Sequence, residues 1–326
     1  MKNLLKLSKL TFLLFVGFSI QSCSDDDDDV TTPTGPSNIV EIAMDTPDLS
    51  NLVAALSVAD GNLVDVLSGG EFTVLAPTNE AFETFLAANG FMSLSEVPTD
   101  VLSNILLNHV ISGTVNSTNL VDAGSGYSTT NASNMDGDNL SLYFDTSSGV
   151  TFNGISSVVA ADIVASNGIV HVVDEVIGLP TVVTFAVSNP ALSTLVAAMT
   201  TEGLSVDIVS ILSSSDEPSP FTVFAPTNDA FGSLLAELEL NALGDIPVSI
   251  LEATLGTHVA PEANVRSTDL VDGMSVNTIS STITVSLSDG AKLIDPNGRE
   301  SNIVAVDIQA YNGVVHVIDN VLLPQL

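Results

Sequence analysis

An eleven-residue stretch that occurs twice constrains the fold of this chain more than any other feature. Residues 72–82 are Phe-Thr-Val-Leu-Ala-Pro-Thr-Asn-Glu-Ala-Phe, and residues 221–231 are Phe-Thr-Val-Phe-Ala-Pro-Thr-Asn-Asp-Ala-Phe. Other landmarks recur in the same order, as the pairs Asn79 and Asn228, His109 and His258, Asn167 and Asn312, and His171 and His316. The offset is 149 residues for the first two pairs and 145 for the last two, so the second copy lacks four residues between its histidines. The chain is therefore a tandem repeat.

Each copy of the stretch predicts a strand followed directly by a helix. Its apolar, β-branched start suits a strand covered on both faces, and its proline has no N–H for a further ladder bond. In the first copy, Thr78 or Asn79 can accept the free N–H groups of a helical first turn. Glu80 suits the positive end of the helix dipole, and Phe82 and Leu86 fall on one helix face.

The rest of each copy predicts helices first and strands later. In the first copy, helical apolar spacing runs through residues 39–56, and a further helix is predicted at residues 99–110. Strands are predicted for the apolar runs at residues 141–144, 150–152, 158–164 and 169–177. Asn167-Gly168 predicts the hairpin turn before the last of them. Helices and strands in separate parts of the chain define the class α+β.

Two separated blocks of sequence resemble a known family. The duplicated stretch and the later block Asn-Gly-x-Val-His-Val-x-Asp, at residues 167–174 and 312–319, are similar to the conserved blocks of the fasciclin domain. The resemblance covers residues 37–326 and implies two tandem fasciclin-like domains, at residues 38–180 and 181–326. Each domain is expected to pack its N-terminal helices on a compact wedge of β-sheet.

The N-terminus has the pattern of a bacterial lipoprotein signal peptide. Three lysines precede an apolar run that is too short to span a bilayer, and Cys23, the only cysteine, follows a small residue. Residues 1–22 are therefore predicted to be a leader, and Cys23 the lipidated N-terminus. Residues 23–37, rich in Asp, Thr and Pro, are predicted to form a disordered acidic tether. The aspartate run at residues 25–29 resembles a signal for lipoprotein export to the cell surface.

The charge of the chain narrows the choice of partners. Six basic residues stand against 39 acidic ones, which gives a formal net charge of −33. Only Arg266, Lys292 and Arg299 lie beyond the predicted leader. Such a chain is repelled by nucleic acid and by anionic membrane surfaces, so membrane contact is predicted through the lipid anchor only. Its partners should be neutral, cationic or bridged by metal ions.

All four histidines occupy paired repeat positions, which invites a metal-binding or catalytic interpretation. His109 and His258 lie on the apolar face of a predicted helix, and His171 and His316 alternate in phase with apolar strand residues. The chain has no His-x-x-x-His or Glu-x-x-His pattern to support a zinc site. We therefore predict structural histidines directed at the core, and neither metal nor cofactor.

Motifs of catalysis are absent from the sequence. It has no Gly-x-Ser-x-Gly elbow, no Cys–His pair and no glycine-rich phosphate loop. Some fasciclin-like proteins are associated with polyester hydrolysis, so a surface hydrolase or glycan-processing accessory is the alternative function. Asp136-Gly137-Asp138 does not continue into a calcium-loop pattern and is predicted to be an acidic turn.

An Asp-Ile step before each Asn-Gly turn is the candidate adhesion site. It comprises Asp162 with Ile163 and Asp307 with Ile308, and it resembles the integrin-recognition element of adhesive fasciclin domains. The alternative is plain strand structure, in which the isoleucine is core and the aspartate faces solvent. The sequence predicts a non-enzymatic adhesion protein, displayed at the cell surface as an outer-membrane lipoprotein. Its predicted ligands are extracellular matrix, a cell-surface protein or a polysaccharide.

Overall fold

The first repeat folds as helices followed by strands, with two strands inserted among the helices. The structure, a computed structural model, describes residues 36–325, so the predicted leader, Cys23 and most of the predicted tether lie outside the described residues. The helices are α1 (Ile39–Asp45), α2 (Ser50–Val58), α3 (Leu63–Gly69), α4 (Asn79–Ala88), α5 (Thr99–Leu107) and α6 (Ser117–Ala123). The strands are β1 (Phe72–Pro77), β2 (Val110–Ser112), β3 (Ser125–Ser133), β4 (Asn139–Asp145), β5 (Thr151–Phe152), β6 (Ser156–Ala165) and β7 (Gly168–Val173).

The second repeat has the same order, with a short 3₁₀ turn at Ser267–Asp269 in the place of α6. Its helices are α7 (Val182–Ser188), α8 (Ser193–Met199), α9 (Ile208–Ser213), α10 (Asn228–Glu237) and α11 (Val248–Thr257). Its strands are β8 (Phe221–Pro226), β9 (Val259–Ala260), β10 (Ser275–Asn277), β11 (Thr282–Ser286), β12 (Lys292–Ile294), β13 (Glu300–Ala310) and β14 (Gly313–Ile318). The predicted class α+β is confirmed.

One mixed seven-stranded sheet forms in each repeat. The strand order is β2-β1-β7-β6-β5-β4-β3 in the first repeat and β10-β11-β12-β13-β14-β8-β9 in the second. The strand of the duplicated stretch pairs in parallel with the strand of the later block, β1 with β7 and β8 with β14. The two blocks that carry the family resemblance are therefore hydrogen-bonded neighbours inside each sheet, where both faces are covered.

The residue that caps the helix after the duplicated stretch is the threonine. Thr78 accepts a hydrogen bond from the N–H of Ala81 at 3.2 Å, which satisfies one free donor of the first turn of α4. Asn79 has a different partner. Its side chain accepts from the N–H of Asn51 and donates to the carbonyl of Pro47, and so ties α4 to the start of α2. Asn228 makes the equivalent pair of bonds with Thr194 and Pro190.

Several predicted boundaries differ from the structure. The last strand of the first repeat, predicted to reach Ile177, ends at Val173. The helix predicted to reach Val110 ends at Leu107, because Val110 pairs with Val74 and begins β2. The predicted Asn167-Gly168 turn is displaced by one residue, since Ala165 pairs with Gly168 and the two-residue loop between them is Ser166 and Asn167. Helices α3 and α6 and strands β2 and β3 were not among the predicted elements.

The repeats pack against each other within one compact unit, Pro36–Leu326. Tyr143 of β4 belongs to the same buried cluster as Val182, Val183 and Phe185 of α7. The ring of Tyr127 meets that of Phe185 edge-on, with centroids 5.7 Å apart. Aromatic packing at the junction therefore contributes to the contact between the two repeats.

No single helix within residues 36–325 is both long and apolar enough to cross a membrane. Two sharply bent helix pairs, Pro47–Val58 with Leu63–Gly69 and Val182–Ser188 with Pro190–Met199, reach that length and composition only together.

Candidate functional site

The Asp-Ile step of each repeat lies in a β-bulge. The pairing of β6 with β7 runs from Ala160–Val172 to Ile163–Val170, so three steps along β6 match two along β7. The extra residue places Asp162 at a φ of 58°, and Asp307 has a φ of 57° in the same bulge of β13. The strand therefore does not alternate evenly at this point. Ile308 is buried and Ile163 is half-buried against the helices.

A serine fixes the carboxylate of each bulge. Asp162 accepts hydrogen bonds from the N–H and the hydroxyl of Ser117, at 2.8 and 2.5 Å, and so caps the N-terminus of α6. Asp307 makes the same two bonds to Ser267, with the N–H at 2.7 Å. The bonds from Ser117 hold the pKa of Asp162 below its ordinary value. Asp162 is therefore ionised near neutral pH, and two hydrogen bonds from a serine orient the carboxylate of each bulge.

The carboxylate nevertheless remains available to solvent. The Asp162 side chain is 38% exposed. An ionised carboxylate has about four lone-pair positions, of which Ser117 occupies two. The first repeat therefore presents a preorganised, charged hydrogen-bond acceptor at its surface, and Asp307, which is also partly exposed, holds the equivalent position in the second.

A buried histidine forms a hydrogen bond with the backbone of each bulge. The N–H of Asp162 donates to Nδ1 of His171 at 3.2 Å, and Nε2 of His171 donates to the carbonyl of Val115 at 2.9 Å. His316 is bound in the same way by the N–H of Asp307 and the carbonyl of Val265. Burial lowers the pKa of His316, which favours its neutral ring. Each ring thus positions the backbone of the bulge.

The helix-end histidines are also fully engaged. Nδ1 of His109 donates to the carbonyl of Ile105 at 2.8 Å, and its Nε2 accepts from the N–H of Ile177 at 2.9 Å. His258 binds Thr254 and Leu322 in the same way. Burial lowers the pKa of both rings to about 4. Each ring therefore joins the end of its helix to the C-terminal segment of its repeat.

No group of three or more His, Cys, Asp or Glu side chains that could hold a metal ion occurs within residues 36–325.

The acidic turn at Asp136 and Asp138 contacts the other repeat. Nε of Arg266 lies 2.7 Å from the Asp138 carboxylate, and the amide of Asn264 donates to Asp136 at 2.9 Å. Arg266, one of three basic residues beyond the predicted leader, therefore serves the junction between repeats.

Sequence reasoning missed the serines that hold the Asp-Ile site. Ser117 and Ser267 lie 45 and 40 residues before their aspartates, so only the fold brings them together. Their recurrence 150 residues apart in the two copies was the available signal. Sequence reasoning also missed Gln309, which follows Ile308. Its N–H donates to the hydroxyl of Ser141, and its side chain accepts from Asn134, both in the other repeat.

The comparisons with known proteins agree with this architecture. The sequence profile of the fasciclin domain matches residues 47–180 and 190–324, so the chain belongs to the fasciclin family. Transforming growth factor-beta-induced protein ig-h3 of Sus scrofa is 30% identical over 78% of this chain, which spans 35% of that protein's length. Cell surface glycolipoprotein MPB83 of Mycobacterium bovis is 45% identical over 25% of this chain, and the match covers 41% of its length.

A solved structure shares the paired-domain fold. It is a domain pair from the insect cell adhesion molecule Fasciclin I, which matches with a TM-score of 0.50 at 21% sequence identity over 85% of this chain and 97% of the other. At that identity the likeness concerns the fold alone. The chain is therefore a tandem fasciclin-domain protein whose relatives include surface proteins.

Proposed function

We propose that this protein is a lipid-anchored adhesion protein of the outer membrane that binds matrix, cell-surface or polysaccharide ligands without catalysis. The observation that carries the proposal is the half-exposed carboxylate that a serine fixes in the bulge of both repeats, Asp162 in one and Asp307 in the other. A carboxylate held in this way can accept hydrogen bonds from cationic groups or sugar hydroxyls, or complete the coordination of a metal ion on a receptor.

The joined repeats favour attachment over single-site binding. The packing of Tyr127 on Phe185 and the ion pair of Arg266 with Asp138 keep both carboxylates on one body. Binding at one site then raises the effective concentration at the other, so that a modest affinity per repeat gives firm attachment. The hydrogen bonds of the four buried histidines support a role without catalysis, because each ring nitrogen already has a partner.

The adhesion site can be tested with isosteric substitutions. Asp162→Asn and Asp307→Asn remove the charge but keep an oxygen that can accept from the serine. We expect each single variant to lose more than half of the attachment of coated beads to matrix proteins or polysaccharides. Attachment of the double variant should fall about tenfold or more, because avidity is lost together with both sites. Attachment by the folded double variant at the wild-type level would refute the assignment.

The matched control carries the same change of charge at exposed aspartates outside the bulges. Asp48→Asn with Asp289→Asn alters one exposed carboxylate in each repeat. We expect this variant to attach like the wild type. Equal losses in the control and the test variant would mean that net charge, and not the bulge, governs attachment. Turnover of short-chain esters by the wild type would contradict the proposal of a protein without catalysis.

The proposed anchor has its own test. Cys23→Ala removes the only thiol of the chain, so we expect the protein to move from the membrane fraction to the soluble fraction. Fractionation followed by immunoblotting measures this shift, with Ser22→Ala as the control. Retention of the Cys23→Ala variant in the membrane fraction would show that lipidation at this residue does not hold the protein there.

A further inference from the structure

The second repeat contains a cleft of about 590 Å³ between α9, α11 and the turn at residues 279–280. This volume lies in the range of small-molecule binding sites. Its inner wall is made by buried apolar side chains, among them Leu212, Leu255 and Val259. Three large apolar side chains at its rim are exposed to solvent: Val206, Ile211 and Ile279. A cleft and an exposed apolar rim in one place indicate a binding surface.

One carboxylate lies at the edge of this apolar surface. Glu252, on α11, accepts hydrogen bonds from the N–H of Ser205, at 2.9 Å, and from its hydroxyl. These bonds hold the side chain in place and keep the pKa of Glu252 below its ordinary value. No lysine, arginine or histidine within residues 36–325 forms an ion pair with it. The free lone pairs of Glu252 can therefore serve a ligand.

The first repeat is built differently at the same helix face. Asn104 there donates to the carbonyl of Ser133 and accepts from its N–H, at 2.8 and 3.0 Å, and so ties α5 to β3. The residue 149 positions later is Ala253, which has no group to make such a bridge. Ser103 is likewise replaced by Glu252. The corresponding face of the first repeat borders a smaller cleft, of about 330 Å³, with polar lining residues such as Asp100 and Asn104.

The helix of the second repeat also has glycine where the first has leucine. Gly256 stands in the place of Leu107 and lets the turn of Ser280 approach α11 closely. A Cβ at residue 256 would lie 2.1 Å from the hydroxyl oxygen of Ser280. The turn therefore closes one end of the cleft, while Ala253 leaves its floor open. The cleft results from substitutions that distinguish the second repeat from the first.

We propose that this cleft binds a small amphiphile that has an alkyl body and a positively charged ammonium head. The alkyl body would cover the exposed apolar rim and the inner wall, and so remove both from water. The ammonium would donate to Glu252 at the edge. The net charge of −33 attracts a cation and repels a fatty carboxylate of the same length. This site is independent of the adhesion site proposed above.

Three probes with the same alkyl chain separate charge from apolar contact. Decylammonium, decanol and decanoate are titrated into the purified protein by calorimetry, below the concentrations at which they form micelles. We expect decylammonium to bind more tightly than decanol, and decanoate to bind least. Glu252→Gln should lower the affinity for decylammonium about fivefold to tenfold and leave the affinity for decanol unchanged, since it removes only the charge. Ala253→Leu should lower the affinity for both ligands about tenfold or more, because leucine fills the floor of the cleft.

The matched control is Ala236→Leu, the same substitution at an exposed position of α10 in the same repeat. It should bind all three probes like the wild type. Wild-type affinity in folded Ala253→Leu, or equal affinity for decanoate and decylammonium, would overturn the proposal. Sedimentation gives a further decisive outcome. If the wild type dimerises and Ala253→Leu is monomeric, the cleft is an interface between copies and not a site for an amphiphile.

Discussion

Lowering the pH from 7 to 5 should destabilise this protein by about 2 kcal/mol for each of two buried histidines. His109 and His258 have folded-state pKa values of about 4, and an unfolded histidine titrates near 6.5. Between these values the unfolded chain binds more protons than the folded chain. Stability from these rings is therefore fully present above pH 6.5, and it falls as the pH decreases towards 4.

The chosen pH window isolates the histidines from the many carboxylates. Ordinary Asp and Glu side chains take up protons mainly below pH 5, where relief of the self-repulsion of a chain with net charge −33 acts in the opposite direction. Burial also lowers the pKa of His316, so its contribution has the same sign. The loss between pH 7 and pH 5 should therefore come mainly from the imidazole rings.

The measurement is the free energy of unfolding in urea at pH 7, 6 and 5. His258→Gln keeps a donor and an acceptor but cannot be protonated. Between pH 7 and pH 5, we expect its free energy of unfolding to fall by about 2 kcal/mol less than that of the wild type. Asn241→Gln, a change to the same residue at an exposed position of the same repeat, should keep the wild-type dependence on pH. Identical slopes in the wild type and in His258→Gln would contradict the assignment.

Replacing Gly313 by alanine should lower the free energy of unfolding of the second repeat by about 4 kcal/mol or more. Gly313 begins β14 with a φ of 149°, and a Cβ there would lie 2.0 Å from the carbonyl oxygen and 2.7 Å from the nitrogen of Phe221. Both of those atoms belong to backbone that β14 pairs with in parallel. Neither can move without separating the two strands that carry the duplicated blocks.

Gly290→Ala separates this collision from ordinary backbone strain. Gly290 also has a positive φ, 87°, but a Cβ there has no heavy atom of another residue within 4 Å. We therefore expect a cost of only about 1–2 kcal/mol, the usual penalty of a left-handed conformation for a residue with a side chain. Urea unfolding of both variants gives the comparison. Equal costs would mean that the contact with Phe221 does not limit residue 313.

The strand and helix of the duplicated stretch could be predicted because their causes are local. A β-branched apolar run favours a strand, and Thr78 caps the helix that begins one residue later. Sequence alone left the choice between Thr78 and Asn79 open. The structure assigns Asn79 to the neighbouring helix through Asn51 and Pro47, which lie 28 and 32 residues earlier in the chain.

The repeat and the helical phase also indicated which histidines face the core, but not what they bind. His109 and His258 occupy apolar helix faces in the sequence, and both are buried in the fold. Their Nε2 atoms accept hydrogen bonds from the backbone N–H groups of Ile177 and Leu322, which lie 68 and 64 residues further along the chain. A ring nitrogen buried in this way requires a partner, and only the folded chain supplies it.

The sequence by itself determined the duplication, the strand-helix unit, the class α+β and the paired positions of the Asp-Ile steps. Tertiary structure alone decided that Asp162 lies in a bulge and binds Ser117. It also decided that Ala253 and Gly256 border a cleft. The physical reason is the range of the interactions. Propensity, capping and periodicity act over a few residues, whereas sheet register and the packing of one side chain against another join parts of the chain that are far apart in sequence.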